Sequence, residues 1–330
     1  MTSVEYDVVG IGNAIVDVLA QAEDDFLVAQ GLTKGSMALV DTDEATALYE
    51  RMAPGVECSG GSAANSMAGI ASLGSRAAFI GKVHDDQLGE VFRHDLRGIG
   101  VRYDTPAAED GPPTARCMIL VTPDAQRTMN TFLGASADLT VNDIDTELVA
   151  RSAITYLEGY LWDPPQAKEA FRRAMATAKA AGRKVALTLS DSFCVDRFRA
   201  EFIEIVETQV DILFANEAEI TSLYQAADFD EALQHVRGHC EIAALTRSDK
   251  GSVIVAGDVV HVIDPVKLGP LVDTTGAGDL YAAGFLHGLA HGNDLHRCGQ
   301  IASVAAGEII THYGARPEAD LGTLIKEKLG

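Results

Sequence analysis

Asp273-Thr274-Thr275-Gly276-Ala277-Gly278-Asp279, continued by Leu280-Tyr281-Ala282-Ala283-Gly284-Phe285, sets a carboxylate at the end of a small-residue turn and at the start of an apolar helix. Gly276 and Gly278 open backbone conformations closed to other residues and let a ligand approach the main chain. The first amides of the following helix have no helical acceptor, and the helix dipole favours an anion there. A carboxylate beside a phosphate-sized anion site is electrostatically costly unless it takes a proton from an incoming hydroxyl. The pairing therefore points to phosphoryl transfer onto an alcohol, with Asp279 as proton acceptor and the Gly276, Ala277 and Gly278 amides as charge stabilisers. Read bare, the same residues also describe a helix start with an acid in its first turn.

Outward from this turn, short apolar runs alternate with helical stretches. Strands are predicted at Tyr6–Gly12, Ala77–Gly81, Ile154–Glu158, Val185–Leu189, Val210–Phe214 and Ile242–Leu245. Helices are predicted at Ala63–Ser72, Gln166–Ala181, Glu217–Ala226, Phe229–Gly238, Ala277–Leu289 and Leu295–Tyr313. This βα alternation implies a mostly parallel sheet covered by helices on both faces. Gly257-Asp258 between Val253–Ala256 and Val259–Val262 has the chemistry of a two-residue hairpin turn. Met37–Val40, Ala115–Val121 and Arg127–Leu133 read as strands without partner helices, the last two joined by the turn Pro123-Asp124-Ala125-Gln126. They imply a small inserted β-sheet, a candidate lid built from segments near 14–20, 35–41 and 112–134. An ordinary antiparallel extension of the main sheet fits the same pattern. With no linker, repeat or low-complexity tract, residues 1–330 are expected to form a single domain.

Bulk properties exclude several classes. A chain of 330 residues, 47% hydrophobic, can bury a large core. A formal charge of −22 argues against a general nucleic-acid or anionic-membrane surface, though not against a nucleotide held locally by amides and a cation. Cys58, Cys117, Cys194, Cys240 and Cys298 contain no Cys-x-x-Cys pair, which argues against disulfides or a cysteine zinc site and makes a reducing cytoplasm the simplest setting. Met1-Thr2-Ser3-Val4-Glu5-Tyr6-Asp7 lacks the basic-then-apolar pattern of a signal peptide, and no apolar run reaches membrane-spanning length.

Gly10-Ile11-Gly12 after the first strand begins a dinucleotide fingerprint, but Ile15 occupies its third glycine position. Asp17, just beyond that strand, has the chemistry to accept hydrogen bonds from two vicinal hydroxyls; a solvated loop acid is the plain alternative. Gly60-Gly61-Ser62-Ala63-Ala64-Asn65 precedes a small-residue helix, where paired glycines admit a ligand to the backbone and Asn65 can donate and accept. Ser62 equally suits a helix cap.

The Asp273–Asp279 run resembles the C-terminal signature of the ribokinase-like (PfkB) carbohydrate and nucleoside kinases. The stretch from Ala77 through Gly81-Lys82-Val83-His84-Asp85-Asp86 to Gly89 resembles their N-terminal signature, in the correct order. Asn216-Glu217-Ala218-Glu219 matches the family's Asn-x-x-Glu motif, which implies that Asn216 and Glu219 organise Mg²⁺ and phosphate through the ion's water shell. Leu245-Thr246-Arg247-Ser248-Asp249-Lys250-Gly251 matches the nucleotide loop, implying ATP contacts at Thr246 and Gly251, with Ser248 where glycine is common. Asp273 and Thr275 would shape the anion loop, near which related sugar kinases hold a monovalent cation, so K⁺ is a further candidate.

Within the family, several stretches are most similar to adenosine kinases. Gly12–Asp17 resembles their substrate loop, implying that Asn13 meets the base and Asp17 both ribose hydroxyls, with Gly60, Gly61, Ser62 and Asn65 beside the sugar. Leu187–Phe193 resembles a stretch whose Phe, here Phe193, stacks on the purine. Arg127–Leu133 resembles the lid strand: Met129, Thr131 and Leu133 would cover the nucleoside, and Arg127 would reach the transferring phosphate. The polar Thr131 and the pattern Gly159-Tyr160-Leu161-Trp162 depart from adenosine kinases at the base pocket. The resemblance implies an ATP- and Mg²⁺-dependent kinase acting on a nucleoside 5′-hydroxyl, adenosine first. A sugar kinase acting on ribose, fructose or a sugar acid is the alternative, and a non-catalytic nucleoside or ATP sensor a more distant one. It favours a monomer over a lid-mediated homodimer.

Overall fold

The computed structural model describes residues 3–124 and 126–330. Met1, Thr2 and Ala125 lie outside it, so the middle of the Pro123–Gln126 turn and the very start of the chain are not described. The expected mixed α/β architecture is present: a large, mostly parallel sheet between two helical layers, plus a second, smaller sheet.

The large sheet contains β1 (Tyr6–Ile11), β5 (Ala77–Ile80), β6 (Arg102–Tyr103), β9 (Ser152–Glu158), β10 (Lys184–Thr188), β11 (Ile212–Asn216), β12 (Ile242–Thr246), β13 (Ser252–Ala256) and β14 (Val259–Ile263). Their order is β14-β13-β12-β11-β10-β9-β1-β5-β6. All neighbours are parallel except the β12–β13 and β13–β14 pairs, the latter being the hairpin expected around Gly257-Asp258. The inner strands are apolar throughout because helices bury both faces. One face packs on α5 (Thr146–Ala150), α6 (Pro165–Ala180), α7 (Ser192–Thr208), α8 (Glu217–Tyr224) and α9 (Phe229–Val236), where Trp162 sits against Phe171 and Phe202. The other packs on α3 (Ser62–Ser72), α4 (Gln87–Gly98), α10 (Ala277–Ala290), α11 (Leu295–Ile309) and α12 (Leu321–Leu329).

The small sheet contains β2 (Ile15–Gln21), β3 (Met37–Leu39), β4 (Val56–Gly60), β7 (Ala115–Val121) and β8 (Arg127–Phe132), in the order β3-β8-β7-β2-β4. Strands lie in all three segments expected to supply it, and β4 adds a fourth that the sequence does not announce. Its outer face buries Ala20, Met118, Leu120 and Phe132 against Leu27 of α1 (Asp24–Ala29) and Ala45 and Leu48 of α2 (Thr42–Arg51). The alternation along β8 follows: Thr128, Asn130 and Phe132 are buried, while Arg127, Met129 and Thr131 face the opposite side.

Two differences from the sequence reading bear on the site. The strand expected at Val210–Phe214 runs Ile212–Asn216, so Asn216 ends a strand and caps α8 at once. Phe193, the last residue of the Leu187–Phe193 stretch, lies in the first turn of α7, a helix absent from the sequence reading and broken at Phe198 (φ −123°).

Strand β1 lies between β9 and β5, and the chain leaves it in one direction and returns on the other side. Such a reversal opens a crevice at the carboxyl ends of the strands. Helices α3 and α10 meet beside it so closely that a Cβ at Gly69 would lie 2.6 Å from Leu280 Cδ1 and 2.8 Å from Ala283 Cβ. The variant Gly69→Val should therefore push the helices apart and cost about 1–3 kcal/mol in denaturant unfolding. It should also displace Asp279, one residue from Leu280, and lower activity more than Gly98→Val, a helical position with no neighbour within 4 Å.

Candidate active site

The carboxyl ends of β1 and β9 to β12, the starts of α3, α7, α8 and α10, and the inner face of the small sheet enclose a cleft of about 870 Å³. Asp279 lies in the first turn of α10, which begins at Gly276 in the left-handed conformation (φ +77°). A side chain there would meet the backbone of Ala315 at 3.0 Å, so glycine is required twice over. The Ala277 amide is occupied by the Thr274 carbonyl at 3.2 Å. Of the three amides expected to cradle an anion, this one is committed to the turn. Those of Gly278 and Asp279 have no acceptor among the described residues. Gly278 faces open space, and the Gly276 amide, from the same stretch of the cleft lining, is likewise without an acceptor among the described residues.

The Asp279 carboxylate is held by α3: Ser62 Oγ donates to Oδ1 at 2.6 Å and Asn65 Nδ2 to Oδ2 at 3.1 Å, while Ser66 Oγ donates to the Asp279 carbonyl at 3.0 Å. Burial raises its pKa above the usual carboxylate range, opposed by those two side chains and by Arg316. Asp17 enters from β2 on the opposite wall. It sits in register with Cys58 of β4 and Cys117 of β7, and Cys117 in turn with Thr131 of β8, whose Oγ1 donates to Cys117 Sγ at 3.2 Å. Gly60 makes room for it, since a Cβ there would lie 2.3 Å from Asp17 Oδ2. The Asp17 carboxylate has no hydrogen-bond partner among the described residues, and burial pushes its pKa up to about 7.

Asn13, nearly fully buried, is held rather than free. Its backbone N and Nδ2 donate to Glu158 Oε1 at 2.8 and 2.7 Å, and its Oδ1 accepts from Ser136 Oγ at 2.9 Å. Glu158 is the residue the sequence reading omits. It ends β9, takes the Ala63 amide at 2.7 Å on its other oxygen, and has its pKa raised to about 7 by burial. An acid ending an apolar strand run was the available signal, the same one that marks Asp17.

Ser62, Asn65, Gly61, Met129, Thr131, Leu133 and Phe193 line the cleft with Asn13 and Asp17. Phe193 is 62% exposed on the first turn of α7, with Arg197 over its ring at 5.4 Å. Asn216, Glu219, Thr246, Thr275 and Gly276 line the remainder. Gly60, Gly251, Asp273, Ala277 and Arg127 stand behind this surface. Arg127 bonds to Thr275 Oγ1 and pairs with Asp273, which also accepts from the Thr275 and Gly314 amides at 3.0 Å. The small sheet is thus tied to the loop before α10. Ser248, where glycine was expected, takes the left-handed conformation itself (φ +54°) and leads into Gly251 (φ +79°), so the loop keeps a glycine-like path.

Asn216 and Glu219 form a reciprocal cap. Glu219 N donates to Asn216 Oδ1 at 2.9 Å, and Glu219 accepts from Asn216 N at 2.9 Å and Nδ2 at 2.5 Å. Burial raises Glu219 to about 7. No group of three or more His, Cys, Asp or Glu side chains able to hold a metal occurs among the described residues. No helix of the described residues is long and apolar enough to cross a membrane.

The family described as pfkB family carbohydrate kinase matches residues 29–320. An adenosine kinase from Sinorhizobium meliloti superposes with a TM-score of 0.92 at 52% identity, over 98% of this chain and 99% of that one. A probable sugar kinase from Rhizobium etli CFN 42 gives 0.93 at 47% identity, over 98% of each chain. A probable fructokinase-6 from Arabidopsis thaliana is 31% identical over 247 residues, 72% of this chain and 63% of its own length.

The raised pKa of Asp17 implies a stability cost. A carboxyl that protonates more readily folded than unfolded makes the fold lose stability as pH rises from the unfolded value near 4 to the folded value near 7. Asp17→Asn should thus stabilise the ligand-free protein by up to about 4 kcal/mol at pH 8 and by progressively less below pH 7. Denaturant unfolding across pH 4–8 reads the difference.

Proposed function

The chain belongs to the pfkB family of carbohydrate kinases, and from that premise we propose that it transfers the γ-phosphoryl group of ATP to the 5′-hydroxyl of a nucleoside, adenosine foremost. An ATP-dependent phosphotransferase acting on a hydroxyl group is what the family provides. The observation that carries the acceptor side is that Asp17, from the small sheet, and Asp279, from α10, line one cleft that Phe193 also lines. A ribose bound through its vicinal hydroxyls at Asp17 turns its 5′-hydroxyl toward Asp279 and its base toward Phe193, Met129 and Leu133. The 52% identity to an adenosine kinase along nearly the whole chain supports the same acceptor.

On this reading Asp279 accepts the 5′-hydroxyl proton as the oxygen attacks the γ-phosphorus. The Gly278 and Asp279 amides, with the α10 dipole, stabilise charge on the transferring group. Ser62 and Asn65 aim the carboxylate. Asn216 and Glu219 would meet the water shell of a Mg²⁺ ion brought in with ATP, which would offset charge on the phosphates, while Thr246 and Gly251 shape the nucleotide side. Asn13, clamped by Glu158 and Ser136, fixes the edge of the acceptor pocket. Arg127 on the small sheet bridges to the phosphate side, and closure of that sheet excludes water from the reacting group. K⁺ beside the Asp273 loop belongs to the same reading, as does a cytoplasmic setting in which the five thiols stay reduced.

A sugar kinase is the second reading. The buried Glu158 and polar Thr131 at the acceptor wall favour it, together with the 47% identity to a probable sugar kinase. ADP release from Mg·ATP across adenosine, inosine, guanosine, cytidine, ribose and fructose separates the two: turnover strongest with a nucleoside supports the first reading, and turnover with a free sugar alone overturns it. In either case Asp279→Asn should lower kcat by about 10²–10⁴-fold with acceptor KM changed only a few-fold.

A further inference from the structure

Arg316, in the loop after α11, is a half-buried cation that no sequence motif announces. Its fork is fully directed into the protein. Nε donates to the Ser59 carbonyl at 3.0 Å, Nη2 to Ser59 Oγ at 3.0 Å and Nη1 to the Ala64 carbonyl at 2.7 Å. It thereby joins β4 of the small sheet to the first turn of α3 across more than 250 residues of chain. No carboxylate pairs with it directly among the described residues; all three donors go to Ser59 and Ala64.

Its surroundings explain the arrangement. Ser59 neighbours Cys58, the register partner of Asp17, and Gly60, against which the Asp17 carboxylate lies. Ala64 lies between Ser62 and Asn65, the two residues that hold Asp279. The guanidinium is thus built into both supports. Its charge acts on Asp17, Asp279, Cys58 and Asp95, the last of which accepts from the Ser59 amide at 2.9 Å. The other charged groups facing this pair are Glu158, which acts on Asp279, and Arg127, which acts on Asp17 but is committed to Asp273. The thiols of Cys58 and Cys117 also feel Asp17.

We propose that Arg316 is a positioning residue for phosphoryl transfer, clamping β4 to α3 and supplying the positive charge that lets Asp17 and Asp279 stand ionised in one cleft. The proposal rests on the reading above in which those aspartates bind the acceptor and take its proton. Consistent with it, Arg316 lowers the pKa of both, against the burial that raises them. Proton loss must precede both roles, so activity falls on the acid side, and removing the guanidinium moves that fall to higher pH.

The test is kcat/KM for adenosine from pH 5.5 to 9 in wild type, Arg316→Gln and Arg316→Lys. The acid limb of R316Q should move up by about one pH unit, at the low end of what a guanidinium does to a nearby carboxyl. At a fixed pH on that limb the rate should fall roughly tenfold beyond any loss at the alkaline plateau. R316K, with the charge kept but the fork lost, should shift the limb in the same direction by less. A loss equal at every pH in both variants means a purely mechanical clamp and overturns the proposal. If R316Q does not fold, R316K decides by the same criterion. If wild type turns over no acceptor, the kinase reading fails by itself, and carboxyl ¹³C titration of Asp17 and Asp279 in wild type and variant then decides. An upward displacement of both aspartates upholds the inference about Arg316, and unchanged titrations sink it.

Discussion

Too much negative charge for too few cations is the constraint on which the site depends. Asp17, Asp279 and Glu158 are drawn from three distant parts of the chain into one cleft, and burial pushes the pKa of each above the ordinary carboxylate range. The fold opposes this with hydrogen-bond donors: two side chains on Asp279, and two amides and a carboxamide on Glu158. Asp17 alone has none among the described residues. A carboxylate left without a donor in a cleft is a cost to folding and an invitation to a ligand that brings hydroxyls.

The two sheets make this juxtaposition possible. Strands β1 and β9 end where the chain reverses direction, delivering Asn13 and Glu158 to the crevice, and the unpaired amides at the start of α10 lie beside them. The small sheet presents Asp17, Cys117, Thr131 and Leu39 as a row across its inner face, because residues in register point the same way. Its outer face is covered by α1 and α2. Arg127 and Arg316 tie the two layers together at opposite ends, one to the loop before α10 and one to the start of α3.

The parts legible in the sequence are those in which local chemistry and global position coincide. The Asp273–Asp279 turn needs its glycines for backbone reasons, so it announces itself. The alternating apolar runs of the large sheet do the same. Strand β4 was hidden because Val56-Glu57-Cys58-Ser59-Gly60 has one strongly apolar residue and derives its pairing from β2, far back in the chain. Helix α7 was hidden by the break at Phe198. Glu158 carried a signal that went unread, whereas Arg316 carried none: its partners are carbonyl oxygens brought to it by tertiary structure. Ser248 shows the reverse case, a departure from the expected glycine that the backbone absorbs without changing course.

The central claim is that the cleft delivers a nucleoside 5′-hydroxyl to Asp279. Its most direct test is to locate the new phosphate after turnover of adenosine with Mg·ATP, by proton-coupled ³¹P NMR of the product. The account predicts a triplet, from coupling to the two 5′-methylene protons. A doublet, from phosphate on a 2′ or 3′ carbon, or ADP accumulating equally fast without acceptor, would contradict it.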